Sequence, residues 1–298
     1  MSGNLWENWK AFWFHAEEPY ILELIRIGLG LALLCVYGSY SQDDLSQLYS
    51  DQGWVSLSTG SLDVLSTKYS LLFYLTTPAK VALIHFAFMV LCLLFTLGIG
   101  TSVVKWMLLL GHVSFVWRNP GIFYGMDNLM CNLLFILCFA PIGQRLSLRP
   151  KKKMDASWRD SACLRLIQIQ MVVCYFYAAI KKLKGDVWWS GDALWYALAH
   201  FQYTNLPIGW LAENYWIINF LTYWVIVMQL AYVFLIWGKK TRPFFLAEAI
   251  LLHVGIALFM GIYAFSFVMI VGHFSFVKRS WLVGIGERFI VRLIRKPG

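Results

Sequence analysis

The stretch "YFYAAIKKLKGDVWWSGDALWYALAHF", residues 175–201, decides how the chain is read. An apolar run arriving from Leu164 ends in Lys181, Lys182 and Lys184, and a Trp188–Trp189 pair follows. Some 20 apolar residues closed by lysines and indoles describe a helix that leaves the hydrocarbon at the headgroup level. The residues after Asp192 form a second helical pattern, with Leu194, Trp195, Leu198 and Phe201 on one face. That helix is too short to cross and is expected to lie flat over the outer mouth, with Asp192 as its cap. Lys182 has two readings. It is an anchor that snorkels to the headgroups, or it is kept inward, where a neutral lysine amine can act as a general base.

Working outward, the composition supports the membrane reading. The 298 residues are 59% hydrophobic and only 14% charged, whereas a soluble domain carries about a quarter charged residues. The 15 Trp and 15 Tyr suit interfacial belts. The formal charge of +9 sits beside apolar segments, so the positive-inside rule accounts for it and nucleic acid is not an expected partner. The six cysteines lie in apolar runs without a CxxC pair and read as small packing residues.

Apolar segments run at about 20–38, 80–98, 101–117, 126–142, 161–180, 214–237, 243–262 and 265–277. The expectation is an all-α, polytopic helical membrane bundle of about eight transmembrane helices, one membrane domain over 1–298 with its bundle at 20–277. Interfacial helices are expected at 1–18, in the 190–203 loop and at 280–296, where Leu282, Ile285, Phe289 and Leu293 share a face opposite several arginines. The first apolar run begins near Tyr20 and reads as an anchor rather than a cleaved signal. Cations at Arg145 to Lys153, at Lys239, Lys240 and Arg242, and at Lys278 and Arg279 fall on one side if there are eight crossings. That side, and with it both termini, is expected to be cytoplasmic.

Ionisable groups inside membrane segments need a partner or a purpose. Glu23 and Arg26 are three apart and read as a structural pair. Gln168, Tyr175 and Lys182 recur at seven-residue spacing along one face of the fifth segment. His85, His112, His253 and His273 lie in apolar segments, with no HxxxH or Cys/His spacing for a metal. Asp127 stands where the fourth segment should start and reads as a cap. No GxSxG, phosphate loop or dinucleotide fingerprint occurs.

Three motifs together resemble the HTTM (horizontally transferred transmembrane) family: "NPGIFYGMDNLM…LCFAPIG" from Asn119, "LRLIQIQMVVCYFYAAIKKL…WWSGDALWYAL" from Leu164, and "HVGIALFMGIYAFSFVMI" from His253. That family includes the membrane domain of vitamin K-dependent gamma-glutamyl carboxylase and the bacterial sporulation-delaying protein B. The carboxylase resemblance implies a catalytic Lys182 that deprotonates a reduced quinone of the vitamin K or menaquinone type at the outer face. Gln168, Tyr175, His253, Asn119 and Asp127 would line the cavity, and Trp188, Trp189 and the helix at Asp192 would form its lid. Where the carboxylase motif carries a histidine this chain has Pro120, and no counterpart of the large lumenal domain is expected after the last span. Full glutamate gamma-carboxylation is therefore not the expectation. The bacterial branch implies maturation of a secreted, toxin-like peptide precursor together with a small partner protein in the bacterial inner membrane.

Two functions follow as expectations. One is a membrane enzyme acting on a secreted peptide, with a reduced quinone and Lys182 as base. The alternative is a non-catalytic accessory, chaperone or immunity partner in peptide toxin maturation and export. A transporter is disfavoured by the absence of repeat symmetry and paired broken helices.

Overall fold

The computed structural model describes residues 4–16, 20–55, 70–150, 157–278 and 281. The expected helix at 280–296, Asp63 of the outer loop, Lys151 to Lys153 and Arg279 lie outside the described residues. The structure is all-helical, and the polytopic reading holds. In chain order the helices are α1 (Leu5–Phe14), α2 (Tyr20–Gly38), α3 (Gln42–Tyr49), α4 (Pro78–Leu97), α5 (Thr101–Arg118), α6 (Gly125–Phe139) and α7 (Trp158–Leu183). They continue with α8 (Asp186–Trp189), α9 (Ala193–Leu198), α10 (Gly209–Glu213), α11 (Tyr215–Leu235), α12 (Arg242–Met260) and α13 (Tyr263–His273). Every expected apolar segment is helical. Five of these helices, α2, α4, α7, α11 and α12, are long and apolar enough to cross a membrane. α6 and the stretch 263–276 are apolar but shorter. α5 carries Lys105, His112 and Arg118 and is not among the five.

Packing divides the chain into two compact units, 1–166 and 167–298, and the division falls inside α7. In the first unit α2 packs along α4, and α5 lies against α4 and α6. The expected Glu23–Arg26 pair is present, with Arg26 Nε 2.8 Å from Glu23 Oε2 and both side chains fully buried. Glu23 Oε1 accepts the backbone N–H groups of Gln144 (2.6 Å) and Arg145 (3.1 Å). The guanidinium donates to the carbonyls of Phe95, Thr96 and Leu146. Each charge therefore receives the hydrogen bonds that burial requires, and the pair clasps α2, the end of α4 and the 144–146 segment.

Helix α1 is amphipathic and none of its residues is buried. The Arg165 Nε donates to the Phe12 carbonyl at 3.1 Å, and its guanidinium lies 4.7 Å over the Phe12 ring. This fits the interfacial helix expected at the N-terminus. One further helix is legible only in hindsight. α3 opens on a capping box in which Ser41 Oγ accepts from the Asp44 N–H while Asp44 Oδ2 accepts from the Ser41 N–H. The Ser41 contacts hold the Asp44 carboxyl below the ordinary carboxylate range.

In the second unit α12 and α13 form a close pair, α11 packs on α12, and α9 and α10 pack on α11. α7 approaches α13 where a Cβ on Gly272 would stand 2.4 Å from Met171 Sδ. Glycine leaves that space to the Met171 thioether, which a larger residue would have to displace.

Candidate functional site

The inward face of α7 follows the helical period. Gln168, Met171, Tyr175 and Ala179 are buried, and Lys182 is the next residue on that face. Lys182 is half-buried, whereas Lys181 and Lys184 are exposed. The chain turns at Gly185 into α8, which brings Trp188 back under the lysine, so the Lys182 ammonium lies 5.0 Å from an indole centroid. Among the described residues no carboxylate pairs with Lys182. Lys181 lies over Tyr177 instead, on an exposed face.

The loop beyond Trp188 is held by the first turns of α11. The Tyr223 hydroxyl donates to the Trp189 carbonyl at 2.8 Å, and the Asn219 amide donates to the Gly191 carbonyl at 3.1 Å. Gly191 sits at φ +85°, a conformation that favours glycine. The Leu194 N–H donates to Thr222 Oγ1 at 3.2 Å.

Asp192 occupies the cap position of α9, but its carboxylate does not cap it. Oδ2 accepts from the Ser190 hydroxyl at 2.7 Å and Oδ1 from the Tyr215 hydroxyl at 2.8 Å. These two donors hold its carboxyl below the ordinary carboxylate range. The capping role expected of Asp192 is thereby corrected: two hydroxyl donors take both oxygens before a helix N–H can. Phe201 is also displaced from its expected place. α9 ends at Leu198, and the following turn leaves Phe201 84% exposed while Leu198 is buried.

Seven residues below Lys182, about 10 Å along the helix, lies a closed polar core. The Tyr175 hydroxyl meets His253 Nε2 at 3.2 Å and His273 Nε2 at 3.1 Å. The Tyr232 hydroxyl meets His273 Nδ1 at 2.9 Å. The two tyrosine rings stack at 4.2 Å, and all four side chains are buried. Among the described residues His253 Nδ1 has no hydrogen-bond partner. Gln168 is buried and donates to the Ser275 carbonyl at 2.6 Å. The structure thus brings Tyr175 and His253 together, with Tyr232 and His273 completing the set. It does not bring either of them to the Lys182 amine.

Trp189 is 62% exposed and its indole N–H donates to the Leu183 carbonyl. Asn119 and Asp127 belong to the first unit. The Asn119 amide donates to the Leu48 carbonyl at 2.9 Å and its Oδ1 accepts from the Gly121 N–H. Asp127 Oδ2 accepts from the Tyr124 N–H at 3.0 Å, the capping role expected for it. Both line a small pocket with Tyr40, Tyr49 and Tyr124. Burial raises the Tyr124 hydroxyl to about 12, aided by Asp127.

The second unit also holds a cavity of about 580 Å³ along α12, walled by α11 and closed at one end by α9 and α10. Its one acidic lining residue is Glu248. An acid within an apolar segment is itself a sequence signal, yet the reading from sequence passes over it. Tyr232 carries no such signal among 15 tyrosines.

Among the described residues, no group of three or more His, Cys, Asp or Glu is placed to hold a metal ion. No curated protein and no solved structure matches the chain. The family model described as HTTM domain matches residues 14–281. With nearly its whole length inside that match, the chain is an integral membrane protein of the HTTM domain family.

Proposed function

We propose that this protein takes part in the maturation of a secreted, toxin-like peptide at the extracytoplasmic face of a bacterial inner membrane, with Lys182 as the proton-accepting residue. The supporting observation is the Lys182–Trp188 pair. A lysine on the inward face of a span lies on an indole without a carboxylate partner, while its neighbours Lys181 and Lys184 are exposed. In its neutral form the amine takes a proton from a weak acid brought to the same face, and the indole then steadies the ammonium formed.

A reduced quinone is the cofactor this reading invites, and its fit is limited to two side chains. Trp188 offers a flat aromatic surface and Lys182 a nitrogen beside it. Gln168, Tyr175 and His253 are packed into the polar core and offer no room for a ring. When bound, a reduced quinone supplies an acidic hydroxyl. Lys182 accepts the proton at Nζ, Trp188 positions the ring, and the Tyr223–Trp189 and Asn219–Gly191 hydrogen bonds fix the loop that carries the indole.

The accessory reading has an observation of its own. Trp189, Tyr196, Phe201 and Trp216 are each more than 60% exposed. Aromatics of this kind suit the capture of an apolar peptide or a small partner protein.

Mass spectrometry of peptides and lipids copurifying with the full chain separates the two readings, with Lys182→Ala and Lys182→Arg alongside. The proposal expects the processed peptide, and any bound quinone, to change in both variants while the protein remains monodisperse. A copurifying peptide that is indifferent to both substitutions leaves the accessory role and removes the base.

A further inference from the structure

The cavity in the second unit has the form of a slot. Its lining follows α12 from Phe244 to Met260, sixteen residues and about 24 Å along the helix. On the other side Leu221, Trp224 and Val225 of α11 complete the wall. At the far end the buried cluster of Leu198, Leu211 and Ile218 closes it. A volume of about 580 Å³ lies within the range of ligand sites, roughly 300–1,000 Å³. A site drawn out along so long a wall suits an extended chain better than a fused ring.

Two observations bear on what occupies it. The first is Glu248, near the Arg242 end of α12. It lines the slot, and its Oε2 is buried with no hydrogen-bond partner among the described residues. A buried carboxyl oxygen without a donor is costly, and a donor on a ligand removes that cost. The second is Gly255, two turns further along. It lines the slot, and a Cβ built on it meets nothing within 4 Å. Glycine weakens a helix interior, and among the described residues none comes within 4 Å of the space its missing side chain leaves.

We propose that the slot binds a single-chain amphiphile whose polar end carries a hydroxyl or amine donor. The donor meets Glu248, and the chain lies past Leu251 and Gly255 toward Phe259. This site is independent of the chemistry proposed at Lys182. A single carboxyl oxygen on this wall calls for one polar end, and an ester with no donor would leave Glu248 Oε2 unmet.

The test uses the full chain in detergent micelles with two probes of equal chain length, monooleoylglycerol and methyl oleate, quantified by native mass spectrometry. The parent is expected to hold one monooleoylglycerol and to prefer it over methyl oleate by about tenfold, the scale of a hydrogen bond to a charged or buried group. Glu248→Leu should abolish that preference while the chain still binds. Gly255→Phe should fill the slot and exclude both probes, with the thermal midpoint of the empty protein retained. Gly255→Leu is the milder companion should the phenylalanine impair folding. Equal retention of both probes by the parent overturns the role of Glu248. Undiminished binding in the folded Gly255 variants, or equal binding of dioleoylphosphatidylcholine, overturns the site altogether and leaves only lipid surrounding the protein.

Discussion

The central polar cluster of each unit is satisfied in a different way. In the first, Glu23 and Arg26 pair in the interior, and three carbonyls and two backbone N–H groups complete their hydrogen bonds. In the second, the interior is built from two tyrosines and two histidines that satisfy one another in a short relay. Among the described residues the second unit leaves Gln229 Oε1, Glu248 Oε2, His253 Nδ1, Ser266 Oγ and Ser275 Oγ without partners, and the first unit has such atoms away from its ion pair, His112 Nε2 and Arg118 Nη1 among them. A fully satisfied charge cluster holds backbone segments in place. A relay with orphaned atoms retains capacity to bind something. The first arrangement is architectural, and the candidate chemistry gathers in the second.

The largest test of that contrast is at Arg26. Arg26→Met leaves Glu23 as an uncompensated buried charge and should cost about 3–5 kcal/mol, with much of that recovered when Glu23→Leu is added. Thermal unfolding of the purified single and double variants measures it, and a single variant no less stable than the double would remove the clasp. Tyr175→Phe comes next. It deletes the hydroxyl shared by His253 and His273 and should cost about 1–3 kcal/mol, while a matched Tyr177→Phe on the exposed face should cost almost nothing.

Lys182→Ala should change stability by less than about 1 kcal/mol, the scale of one partly exposed cation–π contact. If it destabilises as much as Tyr175→Phe, the lysine belongs to the architecture rather than to the chemistry. The smallest effect concerns Asp192. Its carboxyl is held below the ordinary range by Ser190 and Tyr215, so the contribution of these contacts is complete above the unfolded value. It is lost as pH falls through the lower folded one. Protection factors across 190–194, taken against the intrinsic exchange rate at each pH, should fall in that acidic window, whereas Asp192→Asn should show lower protection already at neutral pH and change little with acid.

These contrasts also mark what was legible in the sequence. Membrane segments announce themselves through runs of apolar residues, and each expected run is a helix. Lys182 could be set apart from Lys181 because seven-residue spacing from Gln168 and Tyr175 places it on the same face. Glu23 and Arg26 were legible as a local pair, but not their carbonyl and amide partners, which lie some 70 and 120 residues away. Asp192 was misread for a similar reason. Its position is that of a cap, but the Tyr215 hydroxyl comes from another helix and outcompetes the local N–H groups. The Tyr175–Tyr232–His273 relay joins residues separated by 41 to 98 positions, and no local pattern encodes such a meeting.

The hold of α11 on the Trp189–Leu194 loop has a consequence for how the protein is made. The groups that fix the loop, Asn219, Thr222 and Tyr223, are translated roughly forty residues after Lys182. At about 5–20 residues per second, the lysine emerges seconds before the side chains that steady its indole. Until α11 has been inserted, the nascent protein carries a lysine whose surroundings are unfinished, and a polypeptide stopped short of Tyr223 would keep the residue but not its setting.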